Sequence, residues 1–334
     1  MKTMDMAVHI EGEGVAAACC AQLFGDRGQP FSFAKAVRPK PGAVLLSRQT
    51  VALIAEIFPA IDLISVCHRI EKRIVAWGAA EPIILPHIAF VIAEADLLAR
   101  LWQQVNVSEP PEETAGWKLL SRAASCPQQR VFGTRIASVT RAVIKPHADP
   151  GACWIESVAS GWLFLLPRGD EAATLISVGD NPDALLSQSR LIANVIDVVH
   201  GSATEIPAYP RIAAPLGGDG WLACGGAAMA FDPLCGEGTG NAVRQAYLAT
   251  ALFASLRAGE PVEALLAHYT SRQMHGLLRH LQLCLRFYQS GGATAFWRSE
   301  AAMLQQGIDW AARVLQQDTR PAAYRLVGRQ LEAI

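Results

Sequence analysis

The sequence predicts an α/β fold: a Rossmann-like nucleotide-binding domain interrupted by a β-sheet domain, with a helical C-terminal segment. Three observations carry this. Met6 to Ile10 is a short apolar strand that runs through a glycine turn into a helix of small residues, EGEGVAAACCAQLF. From Val131 to Val178 the chain is β-rich, with ACWIESV, GWLFLLP and ATLISVG separated by turns such as Ala159 to Gly161 and Arg168 to Glu171. From Gly220 to Phe253 it returns to a strand, a glycine turn and a long helix, GWLACGGAAMAFDPLCGEGTGNAVRQAYLATALF. A βα start, a β-rich middle and a late strand and helix place the sheet domain inside the nucleotide domain. The expected boundaries are 1–62, 93–130 and 203–260 for the nucleotide domain, 63–92 and 131–202 for the sheet domain, and 261–334 for the helical segment.

Taken in order, Gly12 and Gly14 with Ala17 at the third position fit the dinucleotide pattern G-x-G-x-x-G/A. One glycine permits the tight turn, the next lets a pyrophosphate approach the backbone, and the small third residue packs helix on strand. A glycine-rich turn before a small-residue helix, with no ligand, uses the same residues. FSFAKAV after Pro30 is a second strand, and the RPKPG loop leads to a helix from about Ser47 to Phe58. RIVAWGAAEPIILPHIAFVI makes two strands around a turn at Gly78 to Glu81, and Ala93 to Val105 a helix. A helical segment covers Ala184 to His200, and beyond Pro261 the chain is helical nearly to its end.

Composition excludes several classes. With 334 residues, 51% of them hydrophobic, the chain can bury a large core. A net charge of −1 and 18% charged residues leave no basic footprint for nucleic acid or anionic lipid. Eight cysteines in no C-x-x-C array imply reduced, mostly buried thiols and a cytoplasmic location. Ala16 to Cys20 has the look of a signal cleavage region, but Glu11 and Glu13 interrupt the apolar core a signal needs. The apolar run Ile83 to Ala93 holds Pro86 and His87 and is too short to span a bilayer. Histidines and cysteines show no metal-ligand spacing, so no metal is expected, and no G-x-S-x-G elbow is present.

The late stretch carries the most chemistry. Pro233 followed by Gly236, Glu237, Gly238, Thr239 and Asn241 opens a long helix, whose unpaired N–H groups and positive dipole end face whatever lies ahead. Together with the early glycine turn, GWLFLLP in mid-chain and the tail LRFYQSGGATAFWR, this stretch resembles the flavoprotein aromatic hydroxylases and flavin-dependent halogenases. The likeness is strongest to the halogenase-like maturation flavoproteins that oxidise tryptophan in quinone-cofactor amine oxidases, and it covers nearly the whole chain.

The resemblance implies that the interrupted domain binds FAD and that the sheet domain is the substrate domain. FAD then lays its ADP half over Gly12, Gly14 and Ala17, Gly225 and Gly226 stand where the family holds the ribityl and pyrophosphate region, and Pro233 and the helix start at Gly236 to Asn241 face the isoalloxazine ring. The backbone at Pro233, Gly236 and Gly238 would stabilise charge on the reduced ring, the cofactor supplying the oxidative chemistry in a dry pocket. Trp154, Trp162, Phe164 and Phe231 line an aromatic substrate pocket in this reading, although sheet-core packing explains the first three equally well. His87 is a candidate acid or base, with a core or edge histidine as the plainer role.

The chain also departs from the family pattern. About 20 residues beyond the glycines, where an acid would bind ribose hydroxyls, stand Ser32, Phe33, Ala34 and Lys35. The family's Gly-Asp pair is Gly225-Gly226, its helix-start arginine is Glu94, Glu13 sits between the phosphate-facing glycines, and SRAASCPQQR replaces an Asp-Gly motif. Hydrogen bonds of this kind contribute about 0.5–3 kcal/mol each, so the implied cofactor is FAD bound weakly or supplied as FADH2. The Trp-x-Trp signature of tryptophan halogenases is absent. Lys72, loosely placed like a halide-carrying lysine, sits among Arg69, Glu71 and Arg73 as a solvated charge would. Arg279, Arg286, Tyr288, Phe296 and Trp297 either dock a protein substrate or cap the nucleotide domain.

Three readings follow. The leading one is a flavin-dependent monooxygenase-like oxidoreductase acting on a small aromatic or indolic substrate, free, carrier-bound or a protein-borne tryptophan. NAD(P)H or a separate flavin reductase supplies its electrons. The second is a non-catalytic scaffold that binds a ligand or partner. The third is an NADPH-linked oxidoreductase, because Lys35 stands where an acid would reject a 2′-phosphate.

Overall fold

The computed structural model describes residues 6–35, 42–106, 116–126, 128–198, 203–317 and 324–334. Val8–Glu11 is an interior strand of the first sheet. It pairs in parallel with Phe31–Ala34 on one side and Trp117–Leu120 on the other. Trp221–Ala223 continues the parallel order, and Gly217–Gly218 closes the edge antiparallel. Helix Val15–Asp26 buries Ala16 through Ala21 completely or nearly so. Those small side chains let it lie close to the sheet and to helix Gly238–Arg257, where Phe24 meets Phe253 edge-on at 5.6 Å between ring centroids.

The second sheet has nine strands in the order Ile196–Val198, Ile136–Ile144, Ala172–Gly179, Gly161–Gly169, Ala152–Val158, His68–Ala76, Ile83–Ala93 and Ala43–Ser47, with Thr204–Pro207 also on Ile136–Ile144. Pairing is antiparallel except between His68–Ala76 and Ala152–Val158. Strand alternation divides its side chains into two cores. Trp162, Phe164, Leu166, Ile176 and Val178 face the main core; Trp154, Leu163, Leu165 and Leu175 face a smaller one on the opposite side.

Several elements differ from the sequence expectation. Ala43–Ser47, within the segment assigned to the nucleotide domain, is the edge strand of the second sheet. The helix expected over Ala184 to His200 is instead Pro182–Gln188, then Ile192–Val195 and strand Ile196–Val198, and His200 lies outside the described residues. The cause is Glu156. Its buried carboxylate accepts from the N–H groups of Arg190, Leu191 and Ile192 and from the Ser189 hydroxyl, which ends one helix and caps the next.

The C-terminal helices Val262–Gly291 and Ala295–Gln317 pack against each other, and a hairpin of Tyr324–Val327 and Gln330–Ala333 follows where helix was expected. The hairpin is tied down by long-range contacts invisible to local pattern: Arg329 pairs with Asp26 at 3.2 Å, and the Tyr324 hydroxyl donates to Glu260 at 2.6 Å. At the elbow between the helices, a side chain on Gly291 or Gly292 would overlap the Trp297 indole. That indole is buried and donates to the Val158 carbonyl at 2.9 Å. Tyr288 is likewise buried, so these two aromatics are core, not an exposed docking cluster. Among the described residues no helix is long and apolar enough to cross a membrane.

Candidate functional site

Two helix starts open into one cavity of about 740 Å³. Helix Val15–Asp26 begins at Gly14 and helix Gly238–Arg257 at Glu237, and neither has a side-chain cap, so their first N–H groups are available to a ligand. Gly14, Val15, Ala16 and Ser121 form the first wall. The second is the late motif: Gly225, Gly226, Pro233, Gly236, Gly238, Thr239 and Asn241, with Phe231 beside them. Opposite stand Phe164, Leu166 and Ile176 from the second sheet. The site therefore lies between the two sheets.

The late motif keeps its shape through its own backbone and a buried network behind it. Gly236 adopts φ +65°, a left-handed conformation that favours glycine, between the short 3₁₀ turn Pro233–Cys235 and the long helix. Asp232 is fully buried. One of its oxygens caps the turn by accepting from Leu234 N–H at 2.9 Å; the other accepts from Arg135 at 2.8 Å and from the Tyr288 hydroxyl at 2.9 Å. The Trp162 indole donates to the Tyr288 hydroxyl at 2.9 Å, Glu300 pairs with Arg135, and His280 accepts from Asp232 N–H at 2.8 Å while stacking on Phe231.

Of the residues expected at the site, Gly14, Gly225, Gly226, Phe164, Phe231, Pro233, Gly236, Gly238, Thr239 and Asn241 line this cavity. The Gly225 N–H is already taken, donating to Gln245 at 2.6 Å. Other expected residues lie elsewhere. Trp154 faces the opposite side of the sheet, because it lies out of phase with the strand positions that face the cavity. Trp162 has the right phase but sits under Tyr288. Glu237 turns to Arg244 at 3.2 Å, and Ala17 is buried in the helix packing. Gly12 holds the tight turn, its N–H donating to Ala34 at 2.9 Å, with Ser121 close against it.

His87 accepts from Arg73 at 3.1 Å away from the cavity; partial burial and that guanidinium push its pKa down. Lys72 pairs with Asp149 at 2.5 Å. Sequence reasoning missed the polar cavity residues Tyr209 and Arg211, and met Ser121 and Arg122 only within SRAASCPQQR, as a departure from the family pattern. They come from short strands and loops whose register only the folded chain reveals. Burial pushes the Arg211 pKa down, with Tyr209 acting against it. Glu94, noted only as a departure, also lines the cavity at the start of helix Glu94–Gln104.

The residues fit the ring end of a flavin better than its ADP end. At the ring end, a side-chain carbon on Gly238 would meet nothing within 4 Å; beside the early glycine turn, one on Gly226 would meet only the Ser121 carbonyl at 3.6 Å, and the buried Ser121 hydroxyl has no partner. At the ADP end, strand Phe31–Ala34 leads to Lys35, with no carboxylate among the residues described there. Lys35 lies 5.3 Å over the Trp102 ring, Trp102 leans on Phe33 at a tilt with ring centroids 4.8 Å apart, and its indole N–H donates to the Glu13 carbonyl at 2.9 Å. Protein side chains thus bridge the strand end and the phosphate turn.

No family model and no curated protein matches the chain by sequence. Solved structures do match by shape. The flavin-dependent halogenase CmlS superimposes with a TM-score of 0.74 at 15% identity, over 93% of this chain and 71% of that one. QhpG, a peptidyl tryptophan dihydroxylase essential for tryptophylquinone cofactor biogenesis, gives 0.70 at 19% identity, over 98% and 86%. The 2,6-dihydroxypyridine-3-hydroxylase from Arthrobacter nicotinovorans gives 0.63 at 11%, over 88% and 95%. The interleaved sheets, and the cavity between them, are therefore built on the fold shared by flavin-dependent halogenases and aromatic hydroxylases.

Proposed function

We propose that the cavity takes the isoalloxazine ring of a flavin and that the chain is a flavin-dependent monooxygenase-type oxidoreductase acting on an aromatic or indolic substrate. One observation carries the reading: two uncapped helix starts converge on a cavity whose opposite wall, Phe164, Leu166 and Ile176, is apolar. A bound flavin supplies the redox chemistry. The chain supplies the rest. N–H groups at Gly238 and Thr239 favour negative charge at the ring edge, the apolar wall excludes water, and Tyr209 and Arg211 offer polar contacts to orient a substrate. Similarity of fold to both QhpG and a small-ring hydroxylase keeps a protein-borne tryptophan and a free aromatic within this class.

The missing carboxylate at the ADP end favours a flavin that visits in its reduced form, delivered by a separate reductase, over one held permanently. Anaerobic titration with FADH2 and aerobic titration with FAD, followed by absorbance and fluorescence, test this. Reduced flavin is expected to bind about tenfold more tightly, since its extra negative charge meets a helix start. If neither form binds, the reading falls and a non-catalytic scaffold takes its place. Binding of NADPH without flavin points to a nicotinamide-linked enzyme instead.

A further inference from the structure

Behind the flavin-facing turn lies a group of reactive side chains that the reading above does not use. Cys235 ends the 3₁₀ turn Pro233–Cys235, and Cys284 and His280 stand one helical turn apart on helix Val262–Gly291. The two sulfur atoms are 3.8 Å apart, and the Cys284 sulfur is 3.3 Å from His280 Nε2. Cys235 is partly exposed, while Cys284 is buried. Cys19, Cys20 and Cys224 are wholly buried and lack that access.

We infer that Cys235 and Cys284 form a peroxide-driven, reversible disulfide that staples the Pro233 turn to the C-terminal helix. The sulfurs are in van der Waals contact, and reaching a bonding distance of about 2.05 Å asks for less than about 2 Å of movement. Cys235 is the attacking sulfur: a hydrogen bond from Cys284, with His280 beside it, draws its pKa down to about 6 against the opposing effect of burial. Burial and the hydrogen bond with Cys235 push the Cys284 thiol up, so it waits protonated.

The Cys235 thiolate attacks one oxygen of hydrogen peroxide and becomes a sulfenic acid, releasing hydroxide. Cys284 then attacks the Cys235 sulfur, the S–OH bond breaks and that hydroxyl leaves as water with the Cys284 proton, while the proton Cys235 released on ionising turns the first hydroxide into the second water. Two thiols lose two electrons and peroxide gains them. The three side chains could also be taken for a metal site, their ligand atoms lying within 4.8 Å of one another. His280 Nε2, however, already accepts from Asp232 N–H, so a cation there must break the hydrogen bond that steadies the turn.

The pair is independent of whether flavin binds, and so is its test. The full-length protein is treated with stoichiometric hydrogen peroxide near pH 7, free thiols are alkylated, and peptides are mapped without reduction. The expected product is a Cys235–Cys284 crosslink that dithiothreitol removes, formed at least about tenfold faster than oxidation at Cys67 or Cys126. In Cys284→Ser, Cys235 is expected to stop at a sulfenic acid trapped by dimedone. Overoxidation of Cys235 in the wild type without any crosslink, or equal reaction at Cys67 and Cys126, overturns the proposal. So does a purified protein carrying one tightly held zinc or copper ion with both thiols inert to peroxide.

Discussion

Nε and Nη2 of Arg135 both sit 2.8 Å from a single carboxylate oxygen of Asp232, with both side chains wholly removed from solvent. Glu300 takes a further guanidinium nitrogen, so one cation answers two buried carboxylates. Arg135→Met strands both, and a broken buried pair costs about 3–5 kcal/mol. Asp232→Asn leaves Arg135 its Glu300 partner and is expected to cost less. Urea unfolding followed by tryptophan fluorescence checks the order; equal losses would mean that Glu300 contributes nothing to the balance.

Phe164 and Trp154 lie on neighbouring strands yet face opposite cores. Truncation of either to alanine is expected to cost about 3–5 kcal/mol of stability. Only Phe164→Ala should also change the binding of flavin or aromatic ligands, because only Phe164 lines the cavity. Titrating both variants with one flavin under identical conditions separates the two faces. A Trp154→Ala protein that folds and loses flavin affinity as strongly would contradict the assignment.

Gly226 has room for a side chain, its nearest obstacle being the Ser121 carbonyl at 3.6 Å. Gly226→Asp restores the carboxylate that the resembling flavoproteins carry there. One charge-assisted hydrogen bond contributes about 1.5–3 kcal/mol, so FAD affinity is expected to rise roughly tenfold to a hundredfold. Fluorescence titration reads this directly, and unchanged affinity would place the ribityl chain elsewhere.

Cys235 should alkylate with a half-maximal rate near pH 6, whereas the Cys126 thiol, raised chiefly by burial, stays slow at neutral pH. The groups facing Cys235 are Cys284 and His280 from the long helix and Asp232 from its own turn. Because the folded pKa lies below the ordinary value of 9.0, this thiolate's contribution to stability is complete above pH 9, shrinks below it, and is gone once pH falls through about 6. Iodoacetamide labelling by mass spectrometry across pH 5–9 checks the profile; a midpoint near the ordinary thiol value refutes it.

The glycine turns and the two long helices around the cavity were legible because each rests on local pattern: Gly12 and Gly14 before small residues, Gly236 and Gly238 before a helix. Strand phase in GWLFLLP was legible only in part. Alternation puts Trp162 and Phe164 on one face, but nothing local reveals that Tyr288, from a distant helix, covers Trp162. Glu156 shows the same limit. A carboxylate in mid-strand that caps a helix over 30 residues later leaves no signature in either segment. The polar residues Tyr209 and Arg211 escaped for that reason too, since their roles depend on how short strands meet.

The bare elbow at Gly291 and Gly292 is a seat for the Trp297 indole. By admitting the Trp297 indole, it sets the axis of the last long helix, and that axis delivers Glu300 to Arg135. Arg135 in turn holds Asp232, and Asp232 holds the Pro233 turn. A methyl group added at the elbow, far along the chain from the cavity, therefore acts as a lever on the cavity wall: Gly291→Ala would tilt the counter-charge before it touched any ligand.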